Sequence, residues 1–154
     1  MAVTLIYLDV CCFNRPFDDQ SQLLIRLQTE AKLYIQDAIK QGAYALAWSA
    51  ILDLENNANP DVERRATILG WKSLAMIDIE TSPGVETVAD ELVGLGIKPM
   101  DALHLASAIE AGAAWFLTTD HALLRKMKNE SRLIVADPID FIQMLQDPDH
   151  ENRY

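Results

Sequence analysis

The hydrophobic positions along this chain switch between two periods. "VTLIYLD" (3–9) is a run of apolar and β-branched residues closed by a carboxylate, the pattern of a short buried strand ending at Asp9. "AYALAW" (43–48), "AWFLTT" (114–119) and "RLIVA" (132–136) read as three further strands. Between them the apolar residues recur every three to four positions. Leu23, Leu24, Leu27, Ala31, Tyr34, Ile35 and Ala38 form the stripe of a helix from about Gln20 to Lys40, ended by Gly42. Ser49 has the character of an N-cap for a helix to about Asn57, and Pro60 opens another. Later helices run from about Val85 to Leu95, from Pro99 through "MDALHLASAIEAG", and over "PIDFIQML" (138–145). Strands alternating with helices predict an α/β protein, a three-layer sandwich about a mainly parallel central sheet.

No composition shift, linker or repeat divides the chain, so residues 1–146 read as a single domain followed by a polar tail, "DPDHENRY" (147–154). The first apolar run stops at Asp9, too soon for a signal peptide or a membrane span. The two cysteines, Cys11 and Cys12, are adjacent and cannot staple a fold, and no Cys/His spacing suggests zinc; a reducing cytoplasm is the expected setting. The net charge of −10 argues against a protein that grips duplex DNA through its phosphates. It leaves two uses for the acids: a cation site, or a basic partner.

In parallel sheets the ligand crevice lies beyond the carboxyl ends of the strands. Asp9 follows the first strand, Ser49 the second, and Thr118, Thr119 and Asp120 the third. Glu55 lies on the helix that Ser49 opens, with Asp53 two positions away and therefore on a different face. Asp101 stands in the first turn of its helix. Each acid also has a plainer role: Asp9 and Asp120 as caps, Asp101 as a charge favoured by the helix dipole, Glu55 as a surface residue. Four acids converging on one crevice cannot all ionise comfortably without a cation, and hard oxygen ligands suit Mg²⁺ or Mn²⁺. No Gly-rich phosphate loop, G-x-S-x-G elbow or D-x-D-x-T motif competes. A receiver-type phosphotransfer domain needs an acid pair at the first strand end and a lysine after the last, which "YLDV" and "RLIVADP" lack. His104 reads as a structural or supporting residue and His121 as an exposed one.

The order of these pieces resembles the PIN domain, the metal-dependent ribonuclease fold of the VapC-type toxins. Four segments carry the resemblance across nearly the whole chain: "YLDVCCFNRP" with Asp9, "SAILDLE" with Ser49 and Glu55, "MDALHLASAIEAG" with Asp101, and "LTTD" with Thr118 and Asp120. It implies that Asp9, Glu55, Asp101 and Asp120 are the catalytic and metal-binding residues, with one or two Mg²⁺ or Mn²⁺ ions. It suggests Asn14 and Thr118 or Thr119 as auxiliary polar groups toward an RNA substrate. The basic residues available to hold that RNA are Arg15 and the cluster Arg125, Lys126, Lys128 and Arg132, which reads equally well as a solvated face. One departure is the absence of a further acid and an aromatic after the fourth segment, where Ala122 and Leu123 stand. The expected function is a toxin endoribonuclease. The alternative is a catalytically silent PIN-like module that binds RNA or protein. Toxins of this kind are restrained by an antitoxin, here expected to insert a basic segment into the acidic crevice. The apolar faces of Leu23 to Ile35 and Val88 to Leu95 suit a homodimer or a partner helix.

Overall fold

The computed structural model describes residues 3–146; the polar tail expected over 147–154 lies outside the described residues. Five strands, β1 (Thr4–Leu8), β2 (Tyr44–Ser49), β3 (Ala75–Ile79), β4 (Trp115–Leu117) and β5 (Ile134–Ala136), form one sheet in the order β3-β2-β1-β4-β5. Every pairing is parallel. The helices are α1 (Val10–Asn14), α2 (Leu23–Lys40), α3 (Ala50–Asn57), α4 (Val62–Lys72), α5 (Pro83–Gly94), α6 (Pro99–Glu110), α7 (His121–Lys126) and α8 (Pro138–Gln146). The fold is the three-layer α/β sandwich that the alternating pattern predicts. α2 packs with α8, and α5 packs with α6.

β1 is the centre of the sheet, so both of its faces are covered. Ile6, Tyr7 and Leu8 have no exposed surface, which is why the run reads as continuously apolar. Side chains alternate across the pleat. Tyr7 stacks on Phe116 of β4, its register partner, with ring centroids 5.3 Å apart. Phe13 of α1 meets Trp48 edge to face at 5.7 Å. Trp115 and Phe141 of α8 close the far side at 4.8 Å.

The sheet differs from the sequence expectation in two elements. β3 is an added fifth strand. Its sequence "AMIDI" turns Met76 and Asp78 to solvent, as one edge of a sheet permits, so it lacks the unbroken apolar run of the other strands. α1, a short helix over "VCCFN", follows β1 directly; Asp9 caps it. α2 begins at Leu23 rather than Gln20, and α4 at Val62 after its cap Asp61 rather than at Pro60.

The chain builds outward from β1 to β2 and β3, then crosses back to β4 and β5 on the other side. That reversal makes the gap between β1 and β4 the switch point, where the connections leave in opposite directions and a crevice opens. Among the described residues no helix is long and apolar enough to cross a membrane.

Candidate active site

Asp9 stands at the switch point. Its N–H continues the sheet by donating to Leu117 O at 2.9 Å. Its extended backbone then ends the strand, and Oδ1 accepts from Val10 N at 2.8 Å as the cap of α1. That leaves Oδ2, which accepts from the Thr118 hydroxyl at 2.9 Å and from Cys11 Sγ at 3.6 Å. The cap and the crevice acid are thus one residue, each oxygen with its own task. Burial pushes the Asp9 carboxyl above its ordinary range, and His104 and the Thr118 hydrogen bond oppose that.

Ser49 closes β2 and caps α3 by accepting from Leu52 N at 3.1 Å. The second turn of the helix so started packs toward α6. Glu55, half-buried, places Oε2 3.0 Å from His104 Nε2. Asp53 turns the other way, as its spacing predicts, accepting from Trp48 Nε1 at 3.0 Å and Lys72 Nζ at 2.9 Å. One ligand atom from each of Asp9, Glu55 and His104 lies within 4.8 Å of the others. Two carboxylates at that separation fit a divalent cation, with the imidazole beside them.

Asp101, in the first turn of α6, is partly buried. Burial, then repulsion from Asp9 and Asp120 and, more weakly, from Glu55, raises its carboxyl above the ordinary range against the influence of His104. The other three predicted acids therefore all act on Asp101 electrostatically. Asp120 caps α7, with Oδ1 accepting from Ala122 N at 2.9 Å and Leu123 N at 3.2 Å. Asp101 and Asp120 share a small cleft of about 60 Å³ with Lys98 and Lys126 at its edge. Lys126 Nζ donates to Gly96 O at 2.9 Å, which folds it across that edge.

The auxiliary residues divide. Thr118 is fully buried and ties Asp9 to Asp120, donating to the first and accepting from Asp120 N at 3.2 Å. Thr119, also buried, places its N–H on Cys11 Sγ at 3.3 Å. Asn14 shares a second cleft of about 250 Å³ with Glu55, Asn56, Asn59 and Arg64. Asn14 Oδ1 and Asn56 Oδ1 are buried there without a hydrogen-bond partner among the described residues. Arg15 turns inward, donating to Gln28 Oε1 at 2.9 Å and Asp18 Oδ2 at 2.8 Å. Arg125 is exposed on α7, while Arg132 is held by Glu130 at 2.7 Å and Glu91 at 3.1 Å.

Sequence reasoning left two participants without a role. Tyr7 sits inside an apolar strand, yet its hydroxyl lies 2.7 Å from both Ser49 Oγ and His104 Nδ1. Cys11 lies against Asp9, Thr118 and Thr119 rather than in a disulfide.

No protein-family model matches the chain, and no curated protein does. Among solved structures it is similar to a chain of the VapBC2 crystal structure from Rickettsia felis, bound to a DNA fragment from its promoter, with a TM-score of 0.56 and 17% identity. The match covers 87% of this chain and 98% of that one. The likeness is one of fold, over nearly the whole of both chains.

Proposed function

We propose that the chain is a metal-dependent endoribonuclease acting in the cytoplasm, the toxin of a toxin–antitoxin pair. The observation that carries this reading is the meeting of the Asp9 and Glu55 carboxylates, with His104 against them, within 4.8 Å at the carboxyl end of a parallel sheet. Asp9, Glu55, Asp101 and Asp120 would hold one or two Mg²⁺ or Mn²⁺ ions, Glu55 and Asp120 directly or through water. Such an ion lowers the pKa of a bound water and offsets charge on the scissile phosphate. The chain's own part is to hold Asp9 rigid through Val10 N and Thr118, and to keep unpaired acids crowded until a cation arrives. Lys98 and Lys126 give the crevice edge positive charge for phosphates, with Arg125 exposed on the same helix as Lys126, local relief from the −10 of the whole. Asn14, which lines the second cleft with Glu55, would meet the substrate there, whereas Arg15 and the buried Thr119 would act by supporting the site.

A fold shared with one chain of a VapBC complex supports a protein partner for this one. The acidic crevice suits an inserted arginine, which pairs with carboxylates bidentately. α2 leaves Leu23, Leu24, Leu27 and Tyr34 exposed, beside an apolar groove of about 290 Å³ that Ile139 and Ile142 of α8 complete, a surface for a homodimer or an antitoxin helix. Incubating the protein with a mixed RNA pool tests the reading. Cleavage with Mn²⁺ that stops in EDTA and in Asp9→Asn is expected. Mn²⁺ binding without cleavage would instead support a silent module of the same fold.

A further inference from the structure

We infer that His104 is a positioning residue for Glu55, and that Tyr7 and Ser49 decide which ring nitrogen carries its hydrogen. The inference rests on the metal-site reading of Asp9 and Glu55. Four hydrogen bonds join five groups in a line: Leu52 N to Ser49 Oγ at 3.1 Å, Ser49 Oγ to Tyr7 OH at 2.7 Å, Tyr7 OH to His104 Nδ1 at 2.7 Å, and His104 Nε2 to Glu55 Oε2 at 3.0 Å. Ser49 and Tyr7 have no exposed surface and His104 has 1%, so each hydrogen needs an acceptor within the line.

Only one arrangement gives it. Ser49 accepts from Leu52 N and donates to Tyr7; Tyr7 donates to Nδ1; the ring hydrogen sits on Nε2 and goes to Glu55. Three hydrogens then meet three acceptors. With the hydrogen on Nδ1 instead, Tyr7 must donate to Ser49, whose own hydrogen is left without an acceptor among the described residues. In that state the Nε2 lone pair would also face a carboxylate oxygen at 3.0 Å. A doubly protonated ring strands the Ser49 hydrogen in the same way. Burial holds the Tyr7 phenol well above its ordinary range, in keeping with a donor.

The imidazole is therefore a donor toward Glu55, although its Nε2 lies close enough to the two carboxylates to be mistaken for a ligand. It occupies Oε2 and fixes the carboxylate plane, which leaves an all-oxygen protein set for the cation. Such a set suits Mg²⁺ or Mn²⁺ better than Zn²⁺. The ligand-orienting role is the one outer partners play in metal sites generally.

Two measurements test this. In ¹⁵N-labelled, metal-free wild type, imidazole spectra at neutral pH should place the His104 hydrogen on Nε2; a hydrogen on Nδ1 would overturn the inference without any variant. Mn²⁺ titration then compares wild type, Tyr7→Phe, His104→Leu and His104→Gln. Tyr7→Phe keeps the ring stacked on Phe116. It and His104→Leu should each weaken Mn²⁺ binding by about 10- to 100-fold. His104→Gln, whose amide can still donate to Glu55, should recover most of that loss. Equal Mn²⁺ affinity in wild type, Tyr7→Phe and His104→Leu would sink the positioning role alone. Absence of Mn²⁺ uptake by wild type would sink the metal-site reading beneath it.

Discussion

The Thr118 hydroxyl donates to Asp9 Oδ2 at 2.9 Å, joining residues 109 positions apart at the place where the sheet reverses its strand order. The Thr118 hydroxyl oxygen also accepts from Asp120 N at 3.2 Å, so one buried hydroxyl holds two of the candidate site acids in register.

Thr118→Val keeps the shape and removes both bonds. A buried carboxylate oxygen then keeps only the long Cys11 Sγ contact and a part-buried N–H loses its acceptor, at about 1 to 3 kcal/mol for each unsatisfied group. Chemical denaturation should show a destabilisation of that order, and RNA cleavage should fall more than tenfold as Asp9 loosens. Unchanged stability would mean that water replaces the hydroxyl.

Asp101→Asn removes one of the crowded charges without taking away a cap. In EDTA at neutral pH its melting temperature should exceed that of wild type, while cleavage with Mn²⁺ is abolished. The pH dependence has a definite sign. A carboxyl raised in the folded state favours folding when protonated; that contribution is complete below the unfolded value near 3.8 and is lost as pH rises through the raised folded value. The stability advantage of Asp101→Asn should therefore shrink as the pH is lowered from 7 toward 4. An advantage that grew on acidification would contradict the raised carboxyl.

Metal should reverse that order. A cation held at a hundred times its dissociation constant adds about 2.7 kcal/mol to the folded state. Millimolar Mn²⁺ should raise the wild-type melting temperature and leave Asp101→Asn nearly unmoved, read by a thermal scan of both proteins.

Lys32 is a separate liability. It is 3% exposed on α2, its ammonium 5.3 Å from the Phe13 ring and 5.7 Å from the Trp71 ring. Burial lowers it from 10.5 to about 7. The folded state thus resists its charge, with no penalty above the unfolded value and a full one once pH falls below about 7. Lys32→Met should stabilise the protein by a few kcal/mol near pH 7, at about 1.4 kcal/mol per pKa unit less the lost cation–π contacts. The gain should fade toward pH 10 in urea melts.

The sequence made the sheet's carboxyl edge legible because its strands end abruptly, apolar to polar, at Asp9, Ser49 and Thr118. Helix geometry puts Asp53 and Glu55 on different faces, and the resemblance to the PIN domain picks Glu55 between them. The edge strand β3 was not legible, since "AMIDI" alternates faces and carries neither the length nor the unbroken apolarity of its neighbours. Nor was the Ser49–Tyr7–His104 line. It joins residues of three elements, and which side of β1 receives Tyr7 follows only from the register Tyr7↔Ala47 and Tyr7↔Phe116. His104 reads as supporting from its position, but what it supports depends on where α3 and α6 meet.

The bond between residues 9 and 118 also sets a clock. β1 is made first and sits innermost, yet its β4 neighbour is synthesised last but one among the strands. At about 5 to 20 residues per second, the ribosome needs roughly 5 to 20 s to travel from one to the other. Through that interval β1 has an open side and Asp9 has no Thr118. A chain proposed to cut RNA would thus be harmless to the message and the ribosome that are making it for as long as residues 115–118 are missing, and would arm itself only once they arrive.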